Sequence, residues 1–296
     1  MPPCERKPEL DGLAHVFADK PEKSSAVLTA LAHEKGISDT RLHVWHAAQP
    51  SQTHTAQWLE RLLARSDAPL VCGMHQSSEG VVWIAAERAA AIEVDRHYGR
   101  LKATLSQGFH SPVIVVLDRH LRLDRQAVSE KALQQGVSWP VQPNEAYVIQ
   151  LMATGPSGAY PVAEVWLTSS QEVPALFGNT SAPIPERLTE LRRRFHVGEL
   201  RINRLLSDQA HAHAREVCQA EKVAHELSAG VDPVERAQRV RIQADALGEA
   251  VARASNLSTA FDAFLRSPAH LLTLTDARFT DVGMASATDD TGARCL

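Results

Sequence analysis

No stretch of the 296-residue chain comes near the ~20 consecutive apolar residues of a bilayer-crossing helix, so no segment reads as a transmembrane span. The start, Met1-Pro2-Pro3-Cys4, lacks the basic and apolar regions of a secretory signal. It reads as a loop rather than a first helix, and suits a chain from which a signal peptide has been removed. No run of Lys or Arg interleaved with aromatics is present, and the net charge of -4 arises from interspersed Asp, Glu and Arg, which argues against a nucleic-acid partner. The absence of any Cys-x-x-Cys makes a redox motif or zinc ribbon unexpected, and no Gly-x-Ser-x-Gly marks a hydrolase nucleophile. Gly155-Pro156-Ser157-Gly158 lacks the Lys and following helix of a phosphate loop, so it reads as a turn. Internal repeats and low-complexity tracts are absent as well.

What is present is a chain of roughly two-domain length whose 44% apolar residues suffice for buried cores. Four cysteines, Cys4, Cys72, Cys218 and Cys295, allow three disulfide connectivities. Their positions favour Cys4 with Cys72 and Cys218 with Cys295, each pair lying within one region of the chain. Each bridge would close a loop of roughly 70 to 80 residues, worth about 4 kcal/mol in the chain-entropy model. That stabilisation requires an oxidising compartment.

The pattern is that of an α+β protein in three parts. Residues 1–95 read as a small α+β unit: a helix over about 24–36, stopped by Gly36, a second helix over Thr55–Leu63, and strands at 69–74 and 81–86. Residues 96–172 read as an antiparallel, sandwich-like β unit, with apolar runs at 112–117, 146–151 and 162–167 and hairpin punctuation at Thr154–Gly158. Residues 173–187, with Pro174, Gly178, Asn179, Pro183 and Pro185, read as a linker. Residues 188–296 are helix-rich. Leu206, Ala210, His213, Ala214 and Val217 form one stripe, so His213 packs inward while His211 is solvated. Asp232-Pro233 starts a further helix, Thr259 to Asp262 can form a capping box, Ser267-Pro268 ends that helix, and Phe279–Ala287 reads as a strand.

Within this last part, Leu206-x-x-x-Ala210-x-x-His213-Ala214 is followed by His225, then by Leu247-Gly248-Glu249-Ala250, and then by Phe264-Leu265-Arg266-Ser267-Pro268-Ala269-His270 with Phe279-Thr280-Asp281-Val282-Gly283. Order and spacing resemble the bacterial, short form of the CAP superfamily (cysteine-rich secretory proteins, antigen 5 and pathogenesis-related proteins) over residues 188–296. The resemblance implies an α-β-α sandwich whose open cleft gathers two histidines and two acidic residues able to hold zinc. Carried over by position these are His225, His270 and Glu249, with Asp262 as the second acid. Three such ligands with an open position would polarise a water, and a neighbouring carboxylate would serve as base, making His225, Glu249 and His270 the catalytic candidates.

The sequence also departs from the family pattern. Ala250 replaces an Asn, Ala269 a Gly, Leu271 an Arg and Phe264 a Trp. These changes remove polar support around the cleft. The reading that follows is a secreted, periplasmic or cell-surface bacterial protein, with a protein or envelope polymer as partner, in which the CAP core is a disulfide-held, noncatalytic binding or structural module. The alternatives are a metal-assisted hydrolase of peptide or envelope polymer, and capture of a lipid or sterol. Trp45, Trp58, Trp83, Trp139 and Trp166 read as core anchors rather than a carbohydrate platform. His43, His46 and His54 read either as surface residues or as a second metal cluster.

Overall fold

The computed structural model describes residues 4–21, 25–49, 51–139, 146–167, 181–227 and 231–296. Met1 to Pro3 and residues 173–180 of the expected linker lie outside that set. The chain divides into two compact units, Met1–Pro156 with Pro161–Ser170, and Ser157–Tyr160 with Gln171–Leu296. Among the described residues no helix is long and apolar enough to cross a membrane.

In the first unit β1 (Glu5–Arg6) leads into α1 (Pro8–Ala18), α2 (Ser25–Glu34), β2 (Leu42–Ala47), α3 (Gln52–Arg65), β3 (Leu70–Ser77) and β4 (Gly80–Glu87). The strands form one sheet in the order β1-β3-β4-β2, antiparallel except for β1–β3. Its alternating side chains feed two cores. Val82, Ile84 and Ala86 join the α1 stripe Leu10, Leu13, Ala14 and Phe17 and the α2 residues Leu28, Leu31 and Ala32. On the opposite face Ala85 and Cys72 meet Leu59 of α3, with Trp58 and Trp83 against them. Because β4 is covered on both faces, it reads as an unbroken apolar run.

Helix α1 lies ahead of the helix over about 24–36, the first one expected from the sequence. Pro8 occupies its first turn with Glu9 and Asp11, a favourable start for the helix dipole, and its stripe is spaced three, one and three residues apart. The helix lies so close on β3 that a Cβ on Gly73 would collide with the Leu10 carbonyl. Cys4 and Cys72 form a disulfide beside this contact, with a Cα separation of 5.9 Å.

The first unit continues with β5 (Ala90–Asp95), β6 (Arg100–Leu105), β7 (His110–Asp118), β8 (Leu123–Ala127), α4 (Glu130–Gln135), β9 (Val137–Ser138), β10 (Ala146–Gly155) and, from Pro161 on, β11 (Gly158–Trp166). They build sheets β5-β6-β9 and β11-β10-β7-β8, antiparallel in the β5–β6, β6–β9, β7–β8 and β7–β10 pairs. Strand β11 is tied to the segment after α2: Glu164 N donates to Ser38 O at 2.8 Å and Thr40 Oγ1 to Pro161 O at 2.6 Å. The Glu164 carboxylate accepts from His33 Nε2 (2.9 Å), Trp166 Nε1 (2.5 Å) and Gln150 Nε2. Burial alone would raise its pKa; these donors outweigh burial and hold it below the ordinary range.

The second unit contains α5 (Ile184–Arg194), β12 (Arg201–Ile202), α6 (Arg204–Ala220), α7 (Pro233–Arg239), β13 (Arg253–Ala254), α8 (Leu257–Arg266), α9 (Pro268–Leu274), β14 (Asp281–Val282), β15 (Ala287–Thr288) and β16 (Arg294–Cys295). Pro183 and Pro185, expected in a linker, instead stand at the start of α5, where a missing N–H costs nothing. The single strand expected over 279–287 is two short ones in separate sheets: β12–β14 is parallel, and β13-β16-β15 is antiparallel. Helices α6 and α8 both pack on the latter. Helix α8 starts one turn earlier than the expected capping box: Asn256 Oδ1 accepts from Thr259 N at 2.9 Å. Cys218 on α6 is bonded to Cys295 on β16, Cα atoms 5.8 Å apart, inside a core of Ala214, Val217 and Val251.

Arg192, 1% exposed, holds the end of α9 and the following loop to α5. Its guanidinium donates to the carbonyls of Gly198 (2.5 Å), Leu274 (2.8 Å), Asp276 (3.2 Å) and Phe279 (3.2 Å). Losing the four part-buried hydrogen bonds of a charged donor is expected to make Arg192→Met destabilise this unit by about 3 kcal/mol in denaturant unfolding. Arg192→Lys, which keeps the charge but loses the planar fork, should recover less than half.

Candidate functional site

In the second unit, helix α6 ends at Glu221, whose φ of 49° turns the chain so that Ala224 and His225 run back along the helix. His213, 3% exposed on the inner stripe, donates from Nε2 to Ala224 O at 3.0 Å and lies 3.1 Å through Nδ1 from Glu216. His225 Nδ1 donates to Glu249 Oε1 at 2.8 Å. Gly248 precedes that glutamate, and a Cβ there would stand 2.9 Å from the Phe279 ring. The other oxygen of Glu249 accepts from Arg236 of α7 at 2.5 Å. The same guanidinium donates to His225 O (2.7 Å) and Val231 O (3.0 Å). His213 Nε2 stands 3.6 Å from Glu249 Oε1.

Glu249 is thus the centre of a lock joining α6, α7 and the His225 segment. Burial pushes its carboxyl up, but the His225 hydrogen bond and the charges of Arg236, His213 and His225 prevail, and its pKa lies below the ordinary glutamate value. On the α6–α7 side a cavity of about 270 Å³ borders the lock, lined by Gln209, His213, Glu216, Arg236 and Arg239.

Of the four side chains that the resemblance gathers, His225 and Glu249 meet. Asp262 is engaged elsewhere: it accepts from Arg187, which also donates to Ser258 Oγ (3.2 Å) and lies 4.8 Å over the Phe261 ring. His270 sits on α9, capped by Ser267, with its ring 4.9 Å from that of Phe264. Among the described residues no group of three or more His, Cys, Asp or Glu side chains is placed to hold a metal ion. With the Glu249 carboxylate facing a guanidinium and Asp262 facing Arg187, the donors present do not fit zinc. Two of the four departures from the family pattern belong to the core: Leu271 is fully buried and Phe264 is 4% exposed, whereas Ala250 and Ala269 are partly buried.

Arg236 and His213 were not singled out as partners of Glu249. Arg236 lies in the last turn of the short helix opened by Asp232-Pro233, an ordinary place for a cation, so nothing in the sequence pattern marks it as the partner of a carboxylate. In the first unit, His43 and His46 stand on opposite faces of β2, so they cannot converge with His54 on one ion. His43 instead lies 3.5 Å from Glu87. Trp139 and Trp166 are buried. Trp45 and Trp58 stack at 6.4 Å and Arg6 covers Trp83 at 5.3 Å.

The model of the cysteine-rich secretory protein family, CAP, matches residues 186–295. No curated protein matches the chain. A 1.5 Å crystal structure of an extracellular protein containing a SCP domain, from Bacillus anthracis str. Ames, aligns over 95% of this chain and 68% of its own, at 15% identity and a TM-score of 0.34. A likeness at that level carries no argument of its own. The family match, together with the ordered His213, His225, Gly248-Glu249 and Ser267-to-His270 elements, is decisive: the C-terminal part of the chain, residues 186–295, is a CAP domain of the cysteine-rich secretory protein family.

Proposed function

We propose that the protein is an exported CAP-domain module that holds a partner in the bacterial cell envelope or extracellular space without catalysing a reaction. The observation that carries this reading is the engagement of Glu249. A carboxylate acting as base or metal ligand must direct a lone pair at substrate or ion, whereas the oxygens of Glu249 are directed at His225 and Arg236. Export is supported by the two disulfides, since such bonds form and persist in oxidising compartments. The cavity beside the lock, whose walls set Gln209, His213, Glu216, Arg236 and Arg239 against Ala212, Val231 and Val240, is where a small group of the partner with both apolar and polar atoms docks.

The test is zinc calorimetry on wild-type and His270→Ala protein free of a histidine tag, combined with hydrolysis assays on peptide and envelope polymer. The expected result is no zinc uptake that depends on His270 and no hydrolysis. A zinc equivalent lost in His270→Ala, or hydrolysis abolished in Glu249→Gln, would replace this reading with a metal-assisted hydrolase.

A further inference from the structure

The first unit carries a pair of histidines that no feature of the CAP domain explains. His15, in the last turn of α1, and His75, in β3, face each other with ring centroids 4.5 Å apart and planes inclined at 66°. His15 Nδ1 lies 3.3 Å from Nδ1 and 3.4 Å from Nε2 of His75. The backbone causes this meeting. Gly73 lets α1 rest directly on β3, and two residues further along the strand, on the same face, His75 meets the next turn of the helix. His15 is exposed and His75 half-buried, so neither ring needs the other to satisfy a desolvated nitrogen.

Tetrahedral zinc bound by imidazole at about 2.0–2.1 Å keeps its two nitrogens about 3.3 Å apart. That is the separation found here. We propose that His15 and His75 together bind a divalent transition ion of the imidazole-preferring class, zinc or copper(II), with water completing its shell. Magnesium and calcium, which require oxygen ligands, do not suit the pair.

The neighbours define the size of the site. Asp11, one turn before His15, has its Oδ1 engaged by Arg6 (2.6 Å) and by Met74 N (2.7 Å), and it does not come together with the two histidines as a third ligand. His46 shares the row His75–Val82–His46 across the sheet, but two strand spacings, about 9.5 Å, separate it from His75. No third His, Cys, Asp or Glu among the described residues joins the pair. The ion therefore bridges helix to strand with most of its shell open, which makes it exchangeable and accessible from solvent.

Zinc chloride titrated calorimetrically into the full, untagged chain at slightly alkaline pH tests the site. One saturable equivalent is expected, with the dissociation constant raised roughly tenfold or more in His15→Gln and in His75→Gln, and unchanged in His270→Ala. That last comparison separates this site from the family cleft, so failure of one does not decide the other. Copper(II) bound to the wild type should show nitrogen hyperfine structure in its electron paramagnetic resonance spectrum, a readout that does not depend on any variant folding. Absence of saturable zinc uptake, uptake indifferent to both substitutions, or a copper spectrum without nitrogen coupling would overturn the proposal.

Discussion

Glu249→Ala is expected to cost the CAP domain about 3 kcal/mol, the low end of the range for breaking a buried ion pair by deleting one partner. The Arg236 side chain is only 12% exposed and that of the glutamate 21%. Deleting the carboxylate leaves that cation with two carbonyls and no counter-charge, and leaves His225 Nδ1 without its acceptor. Glu249→Gln keeps the shape but must turn its amide nitrogen toward either His225 or Arg236, so it recovers little. In an Arg236→Met background the same Glu249→Ala change should cost much less, because the stranded charge is gone. Equal costs in both backgrounds would mean that the two residues are not coupled.

The readout has to be local, since the chain has two units and is not a two-state folder. All five tryptophans, from Trp45 to Trp166, lie in the first unit, so their fluorescence is blind to this change. Hydrogen exchange of α6 amides reports it directly. Acid provides a second handle. Glu249 has its folded pKa depressed, so its contribution is fully present above the unfolded value of about 4.3 and is lost as pH falls below that value through the folded pKa. Wild-type α6 should lose protection in that window, and the alanine variant should show a shallower loss. Glu164 and Glu87, also depressed, give the first unit its own acid sensitivity with the same sign.

Much of this lock was legible before the structure. His225 and Glu249 stand out through their motif positions, and the stripe from Leu206 to Val217 places His213 on the inner face, where it is found. What periodicity could not supply was the direction of polar side chains. Arg236 and Arg187 are ordinary surface residues by type, yet each reaches a carboxylate that the family pattern would assign to the cleft. The fold follows the same division. Long apolar runs such as β4 and the strand within 112–117 are legible, because burial on both faces leaves no polar interruption. Helix α1 is not: its four inward residues are diluted by Glu9, Asp11, Gly12 and His15, and a Pro near the start suggests a loop as readily as a helix. Strands of two residues, such as β12 to β16, are too short to carry a period at all.

That shortness makes the Cys218–Cys295 disulfide the other contact with a large expected effect. The bond closes a loop with a sequence separation of 77, which in the chain-entropy model is worth about 4 kcal/mol, against a total of about 5–15 kcal/mol for an ordinary domain. It also pins the last strand. β16 contributes two residues to its sheet, and beyond it the chain is held by reciprocal bonds of 2.9 Å between Ala252 and Leu296. Pairs of two residues on either side cannot sustain such a strand by hydrogen bonding alone. The Cys218→Ala, Cys295→Ala double variant should therefore lose exchange protection in β13, β15 and the C-terminal half of α6, with melting of the second unit lowered by many degrees. Alanine is the fitting replacement, because Cys218 is 4% and Cys295 0% exposed and a serine hydroxyl would be buried without a partner. Reductant should reproduce the effect in the wild type. If both thiols are titrated as free and α6 remains fully protected, the bond contributes nothing to folding, and the physical case for an oxidising compartment would then rest on Cys4–Cys72 alone.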